Sequence, residues 1–526
     1  MTTFQSKTTT GVLTALSVAL LAGSALAQTP FQCPRQGGDL VFALEARVPG
    51  LDQHASNSTA TRNIGMNVFE TLVTRDDKMN PMLELADALQ ESSDGLSYTF
   101  KLRPGITFHN GKTLTSADVV ASFDRYKKIG VDRSILDAAE RWEAPDPQTF
   151  RIVLKAPLPT FIEQLSSFTV PIVIIPSELA DAPAQQLQIV GTGPFQVDEF
   201  RADSHVRLKR FANYKPDTRH TDLVGFGGYK QACVDTVTFR MMTEPAARTA
   251  ALEVGEIHGV EDVPVTSQKR LAENKDIKLS RNETFWLNVT YPNFSYPPTD
   301  NPKVRQAILA AMDFEEIMEA ASEGQFKLNP GFQFPGQLYF TTAGSENLNQ
   351  KNPEKAKKLL AEAGYKGEKV TLLTNREFPF MYNTSLVMAE QLKAAGINAE
   401  LLVLDWPAAL AKSQKETEGW NFFYTGWITV VALGGPQTMR QLAPPASVQK
   451  WKGEPDPEFM AAVKQLSEGR TLEERKAAFA KAQTKALELV MAVPFGVMPK
   501  TQAVQAKVEN FRSYYVPRLS NVWLRS

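Results

Sequence analysis

Polar and apolar residues alternate with a period of two over residues 98–102 and 149–154, the pattern of strands with one buried face. Residues 116–127 instead carry apolar side chains at helical spacing, and residues 38–44 read as a further strand. The fullest local grammar lies between residues 350 and 405. Asn352 can cap a helix with Pro353 at its first position; Ala356, Leu359, Leu360 and Ala363 share one face, and Gly364 ends it. A strand over 370–373, a helix over 384–395 closed by Gly396, and a strand over 399–404 follow. Strand, helix and strand in this order predict a right-handed crossover and a largely parallel sheet. The chain is therefore expected to be α/β.

A different apolar pattern opens the chain. Residues 11–27 form a short run rich in small residues, preceded by Lys7 and ended by Ala25-Leu26-Ala27, which predicts a secretory signal peptide over 1–27 cut after Ala27. The run is short for a membrane span, and Cys33 lies too far on to be a lipoprotein cysteine. A periplasmic location is expected. The remaining chain is longer than one hydrophobic core usually organises, so two large lobes or three domains are anticipated.

Charge adds little: 57 Lys and Arg balance 58 Asp and Glu, which gives no electrostatic reason for a nucleic-acid or anionic-membrane partner. The two cysteines, Cys33 and Cys233, are an even pair in an exported chain and point to a disulfide, with free buried thiols as the alternative.

Catalytic and cofactor patterns are weak. The 5 histidines, His54, His109, His205, His220 and His258, include no pair spaced to share a metal on one helix face. The stretch from Gly105 to Thr113 has one residue too many between its glycines for a phosphate loop, and Gly191-Thr192-Gly193-Pro194 lacks the third glycine of a dinucleotide fingerprint. No nucleophile elbow is present. Neither an enzyme activity nor a metal or other cofactor is expected.

A series of segments in order carries a family resemblance: Asn67–Val73, Asp94–Gly105, Phe108–Lys112, Asp118–Phe123, Gly191–Phe195, Gly255–Ile257, Val304–Ile308 with Met312-Asp313, Glu354–Tyr365 and Gly426-Trp427. Together they resemble the family 5 extracellular solute-binding proteins, the dipeptide- and oligopeptide-binding type that feeds ABC importers. The resemblance implies a three-domain, two-lobed periplasmic binding protein fold with discontinuous domains and a hinge. Domain I would comprise residues 28–67, 189–283 and 499–526, domain II residues 68–188, and domain III residues 284–498. The ligand would lie between domains I and III and the closed protein would dock on the permease subunits, the receptor itself being a monomer. The disulfide between Cys33 and Cys233 would then lie within domain I.

The resemblance also implies a pocket. Arg376 matches an arginine that pairs with the ligand carboxylate, and a guanidinium suits that task through its planar fork of donors. Trp406 and Trp427 resemble tryptophans that line side-chain pockets, and Tyr424 stands where some oligopeptide binders carry a contacting arginine. Phe285 and Trp286 are further cleft aromatics, of which strand alternation would aim one inward. Peptide-binding relatives place Asp shortly after Gly-Trp to neutralise the α-ammonium; here the chain reads Ile428 to Leu433 with Val430 among them, and no acid precedes Glu454. Burying an ammonium without a counter-charge costs several kcal/mol. A small organic anion or an N-blocked, peptide-like solute is therefore expected, an ordinary free di- or oligopeptide being the alternative with Glu377 as substitute anchor. Nickel-chelate, haem, opine and oligosaccharide binders also occur in the family. A secreted hydrolase would need a nucleophile and base meeting in the cleft, for which the chain has no motif.

Overall fold

The computed structural model describes residues 29–428, 434–444, 450–451 and 453–525, so the expected signal peptide lies outside the described residues. An 11-stranded mixed sheet runs through most of the chain. At one end, Asp39–Leu44 pairs parallel to Thr236–Met241, which pairs antiparallel to His205–Arg210 and through it to Phe195–Arg201. At the other, Val370–Thr374 pairs parallel with both Ala399–Val403 and Phe422–Ile428. The helix Pro379–Ala394 connects the first two, so the expected crossover is present. Its helix starts earlier than residue 384 because Pro379 occupies the first turn and Asn375 Oδ1 accepts the Phe378 N–H at 3.0 Å. Asn352 caps Pro353–Ala363 by accepting the Lys355 N–H at 2.9 Å, and Gly364 ends it at φ 70°.

Two long strands, Ile277–Pro292 and Val493–Gln505, join the halves of this sheet. They pair antiparallel along their length, but the register slips between Asn282 and Trp286. Before the slip they adjoin Gly259–Val260; beyond it they adjoin Phe422–Ile428. A slip in paired strands bends and twists them locally, which makes it a place where two halves can move against each other.

Three main cores form around this frame. One packs the helices and strands between Phe285 and Met498; a second gathers Leu40, Phe42, Val206, Val237, Phe239 and Val522. The third lies under a separate 4-stranded antiparallel sheet, Ala86–Glu91, Ser97–Leu102, Thr149–Leu154 and Ala139–Asp146, covered by the helix Ser116–Ile129. The strand Ser97–Leu102 buries Tyr98, Phe100 and Leu102 on its inner face, as period two requires. Cys33 and Cys233, 200 positions apart in the sequence, are joined as a disulfide. Among the described residues no helix is long and apolar enough to cross a membrane.

Candidate functional site

A cavity of about 150 Å³ lies where residues 57–62, 131–132 and 169–170 face residues between 286 and 441. One wall is aromatic: Trp286, Tyr291, Phe378, Trp406, Phe423 and Trp427. The facing wall is polar, with Asn57, Thr59, Arg62, Asp132 and Thr169.

Strand geometry accounts for part of the aromatic wall, and Gly426 and Ile428 line the cavity as well. In Phe422–Ile428, Phe423, Thr425 and Trp427 are on the cavity side, while Tyr424 turns to the opposite face, is fully buried and places its hydroxyl 2.9 Å from Met388 Sδ. Trp286 pairs with Ile428 and lines the cavity, whereas Phe285 does not; the two rings nonetheless meet edge to face at 4.8 Å, and Phe285 also packs 5.9 Å from Tyr515. Gly426 lies opposite Asn288 across the strands, and a Cβ there would stand 2.6 Å from Trp286 Cε3 and 2.9 Å from Phe380 Cζ. Its missing side chain is what lets the indole lie over the strand. Trp406 opens the helix Trp406–Lys415, meets Phe378 edge-on at 5.1 Å and 79°, and lies nearly parallel to Phe423 at 6.1 Å and 25°.

Arg62 dominates the polar wall. The helix Thr59–Val68 that carries it is buried on nearly every side, and the Arg62 side chain is 4 % exposed. Nη1 donates to Asn57 O at 3.4 Å and Thr169 O at 3.2 Å, and Nη2 to Thr59 Oγ1 at 2.9 Å. Nε is buried and donates to nothing. Among the described residues no carboxylate pairs with the guanidinium. Burial pushes its pKa down to about 10, with Glu261 pulling the other way. Asp132, the acid in the wall, is consumed: Arg440 Nε donates to Oδ1 at 3.0 Å and Nη2 grips Oδ2. The pair is 14 % and 13 % exposed and joins the helix Gly434–Leu442 to the polar wall.

Further bonds cross the cleft beside it. Trp406 Nε1 donates to Ser58 Oγ at 3.2 Å, Gln437 Nε2 to Thr169 Oγ1 at 2.8 Å, and Gln414 Nε2 to Asn57 Oδ1 at 3.0 Å. These contacts belong to a closed cleft.

Two expected site residues, Arg376 and Glu377, stand outside the cavity wall. Arg376 is exposed and is not in the cavity wall; its guanidinium stacks 4.8 Å from the Tyr382 ring centre and Nη2 donates to Tyr382 Oη at 3.1 Å. Glu377 is buried, but its carboxylate already accepts the Arg47 N–H at 2.6 Å, Arg47 Nη1 at 2.9 Å and the Trp406 N–H at 2.9 Å. The turn before Pro379 sends Asn375 and Glu377 inward and Arg376 outward, so neighbours in sequence part company. Glu377 thus locks the start of the Trp406 helix to Arg47 and has no free oxygen facing a solute. Tyr424 and Phe285 are not in the cavity wall, whereas Trp286, Trp406 and Trp427 line it. Val430 lies outside the described residues. Arg62, Asp132, Tyr291, Phe378 and Arg440 were not anticipated. For Arg62 a signal existed, an arginine inside the buried run Thr59–Val68, where a charge needs a reason.

Elsewhere, the pKa values of buried His54 and half-buried His109 are both pushed down to about 4, chiefly by desolvation, and among the described residues no group of three or more His, Cys, Asp or Glu could hold a metal ion.

A cavity between two sheet halves joined by paired crossing strands is the arrangement of a protein that captures a solute between lobes. The comparisons specify which kind. The chain belongs to the bacterial extracellular solute-binding proteins of family 5, whose middle-region model matches residues 80–447. It is 28 % identical over 460 residues to a probable peptide ABC transporter periplasmic-binding protein of Sinorhizobium fredii, covering 85 % of this chain and 86 % of that one. It is 29 % identical over 409 residues to the glutathione-binding protein of Escherichia coli K12, covering 75 % and 76 %. The Agrobacterium periplasmic binding protein AgaA, solved in complex with agropinic acid, superimposes with a TM-score of 0.81 at 25 % identity over 93 % of this chain and 99 % of that one. The fold is thus the two-lobed α/β binding-protein fold, and the chain is a solute-binding protein of ABC transport.

Proposed function

We propose that this protein is the periplasmic receptor of an ABC importer for an organic acid, which it captures between its lobes and hands to the permease subunits. Arg62 carries the proposal. A buried guanidinium without a carboxylate partner is an uncompensated charge, costly unless a ligand anion completes it. The acid in the cavity wall, Asp132, is taken by Arg440, so a free peptide's α-ammonium would find no open carboxylate. The agropinic acid bound by AgaA supports an acidic solute, while the names of the other relatives keep peptides in view.

The leader over residues 1–27 would deliver the chain to the periplasm. The domain division inferred from the family resemblance, with boundaries near residues 283 and 499, is supported by the strand slip between Asn282 and Trp286. Lobes hinging there would close over the solute, with Trp286, Trp406 and Trp427 enclosing its apolar part; a monomeric receptor suffices for this action.

The test is calorimetric titration of carboxylic acids and their uncharged amides into the wild type and Arg62→Gln. Truncating a buried charged partner costs about 2–5 kcal/mol, so affinity for acids should fall roughly thirtyfold or more. Equal binding of acids by both proteins would overturn the proposal.

A further inference from the structure

We infer that the solute is a compact acid, one ring or its equivalent in bulk with a single carboxylate, rather than a peptide of any length. This rests on the reading that Arg62 receives the anion and adds size and shape to it.

The first ground is volume. An apolar protein cavity of about 150 Å³ takes a guest the size of benzene, whereas sites for drug-sized ligands run to roughly 300–1,000 Å³. The cavity between the lobes is about 150 Å³ and opens partly to solvent. A dipeptide with two side chains would have to displace wall residues or hold the cleft open.

The second ground is that bonds between the lobes flank the cavity at this size. The Trp406–Ser58, Gln437–Thr169 and Gln414–Asn57 hydrogen bonds and the Arg440–Asp132 pair all cross the cleft beside the cavity. Asn57, Asp132, Thr169 and Trp406 are at once wall residues and members of these bridges. A longer solute leaving the cavity would run into a bridge and break it, with loss of contacts that close the lobes.

The third ground is that the two walls differ in kind. Rings line one side, and Trp406 and Phe378 already show the edge-to-face packing that a guest ring could extend. Among the described residues the other side offers one cation without a carboxylate partner, Arg62, since the charge of Asp132 is cancelled by Arg440. A solute with one apolar body and one anionic end matches this division. A second charge on the solute would face either the rings or the Asp132 carboxylate.

The experiment titrates the mature protein with benzoate, phenylacetate, benzamide, phthalate, 2-naphthoate, Ala-Phe and N-acetyl-Ala-Phe. Benzoate or phenylacetate should bind with Kd in the micromolar range, and benzamide, phthalate and both peptides at least roughly thirtyfold more weakly. In Trp427→Ala the cavity enlarges, so 2-naphthoate should gain about tenfold relative to the wild type while benzoate weakens; a residue needed only for folding would not produce that gain. Binding of N-acetyl-Ala-Phe more tightly than either one-ring acid, lost in Arg62→Gln, would overturn the size class and leave the anion reading standing. Acids that bind equally well to Arg62→Gln would overturn the anion reading itself. No binding of benzoate or phenylacetate by the wild type, or no gain for 2-naphthoate in a Trp427→Ala protein that still binds benzoate, would overturn the inference.

Discussion

Acidification should unlock the junction between the helix Ser116–Ile129 and the segment around residue 53, and one histidine accounts for much of the effect. His54 is fully buried; its Nε2–H donates to Val173 O at 2.9 Å, and Nδ1 accepts from Arg125 Nη1 at 3.2 Å. Arg125 also clamps Asp52, with Nη1 to Oδ1 at 2.9 Å and Nη2 to Oδ2 at 2.6 Å. A proton on Nδ1 would set an imidazolium against the guanidinium. Burial and the Arg125 charge push the His54 pKa from 6.5 down to about 4, Asp52 and the Val173 carbonyl opposing them. Between these values the unfolded chain binds a proton that the folded chain refuses, so stability is complete above the unfolded value and falls as pH drops from about 6.5 toward 4. The integrated loss for this group at pH 4 is about 3 kcal/mol. His54→Gln can keep both hydrogen bonds while removing the titration. Urea unfolding of the two proteins across this pH range should therefore give curves that converge near neutrality and diverge on acidification, the wild type losing about 3 kcal/mol more. His109, also held neutral between the Gly191 N–H at 3.1 Å and the Gly193 carbonyl at 3.0 Å, leaves a residual acid slope in both proteins. Parallel curves for wild type and His54→Gln would refute the reasoning.

Arg440→Gln would leave the Asp132 carboxylate uncompensated beside the bound anion, so acid affinity should fall about thirtyfold or more and largely recover in the Asp132→Asn/Arg440→Gln double variant; calorimetry that finds no recovery would assign the loss to packing. Gly426→Ala places a methyl against Trp286 and Phe380 and should cost about 1–3 kcal/mol in urea unfolding together with roughly tenfold in solute affinity; wild-type values for both would sink the close-approach argument. Replacing Cys33 and Cys233 by Ser frees a long loop in the unfolded chain and should cost about 2–4 kcal/mol of stability with solute affinity retained, since neither residue lines the cavity; a change in affinity alone would contradict the assignment.

Local chemistry made much of the fold legible. Asn352, Pro353 and Gly364 define a helix by capping and backbone conformation alone, and the strands at 370 and 399 follow from apolar runs flanked by turn residues, so both could be read without knowing any neighbour. The start of the helix at Pro379 could not, because it hangs on the Asn375 side chain as well as on the proline. For the site, the sequence determined which residues could be cleft aromatics, and of Phe285 and Trp286 only Trp286 lines the cavity although their rings touch. Only the tertiary structure decided that Arg376 would stack on Tyr382 at the surface, that Glu377 would be consumed by Arg47, and that Arg62, more than two hundred residues before the tryptophans it faces, would hold the cavity's unpaired charge. Caps, turns and periodicity are encoded over a few residues and survive in the sequence. Charge pairing across a cleft depends on which distant segments the sheet brings together, and that information exists only once the chain has folded.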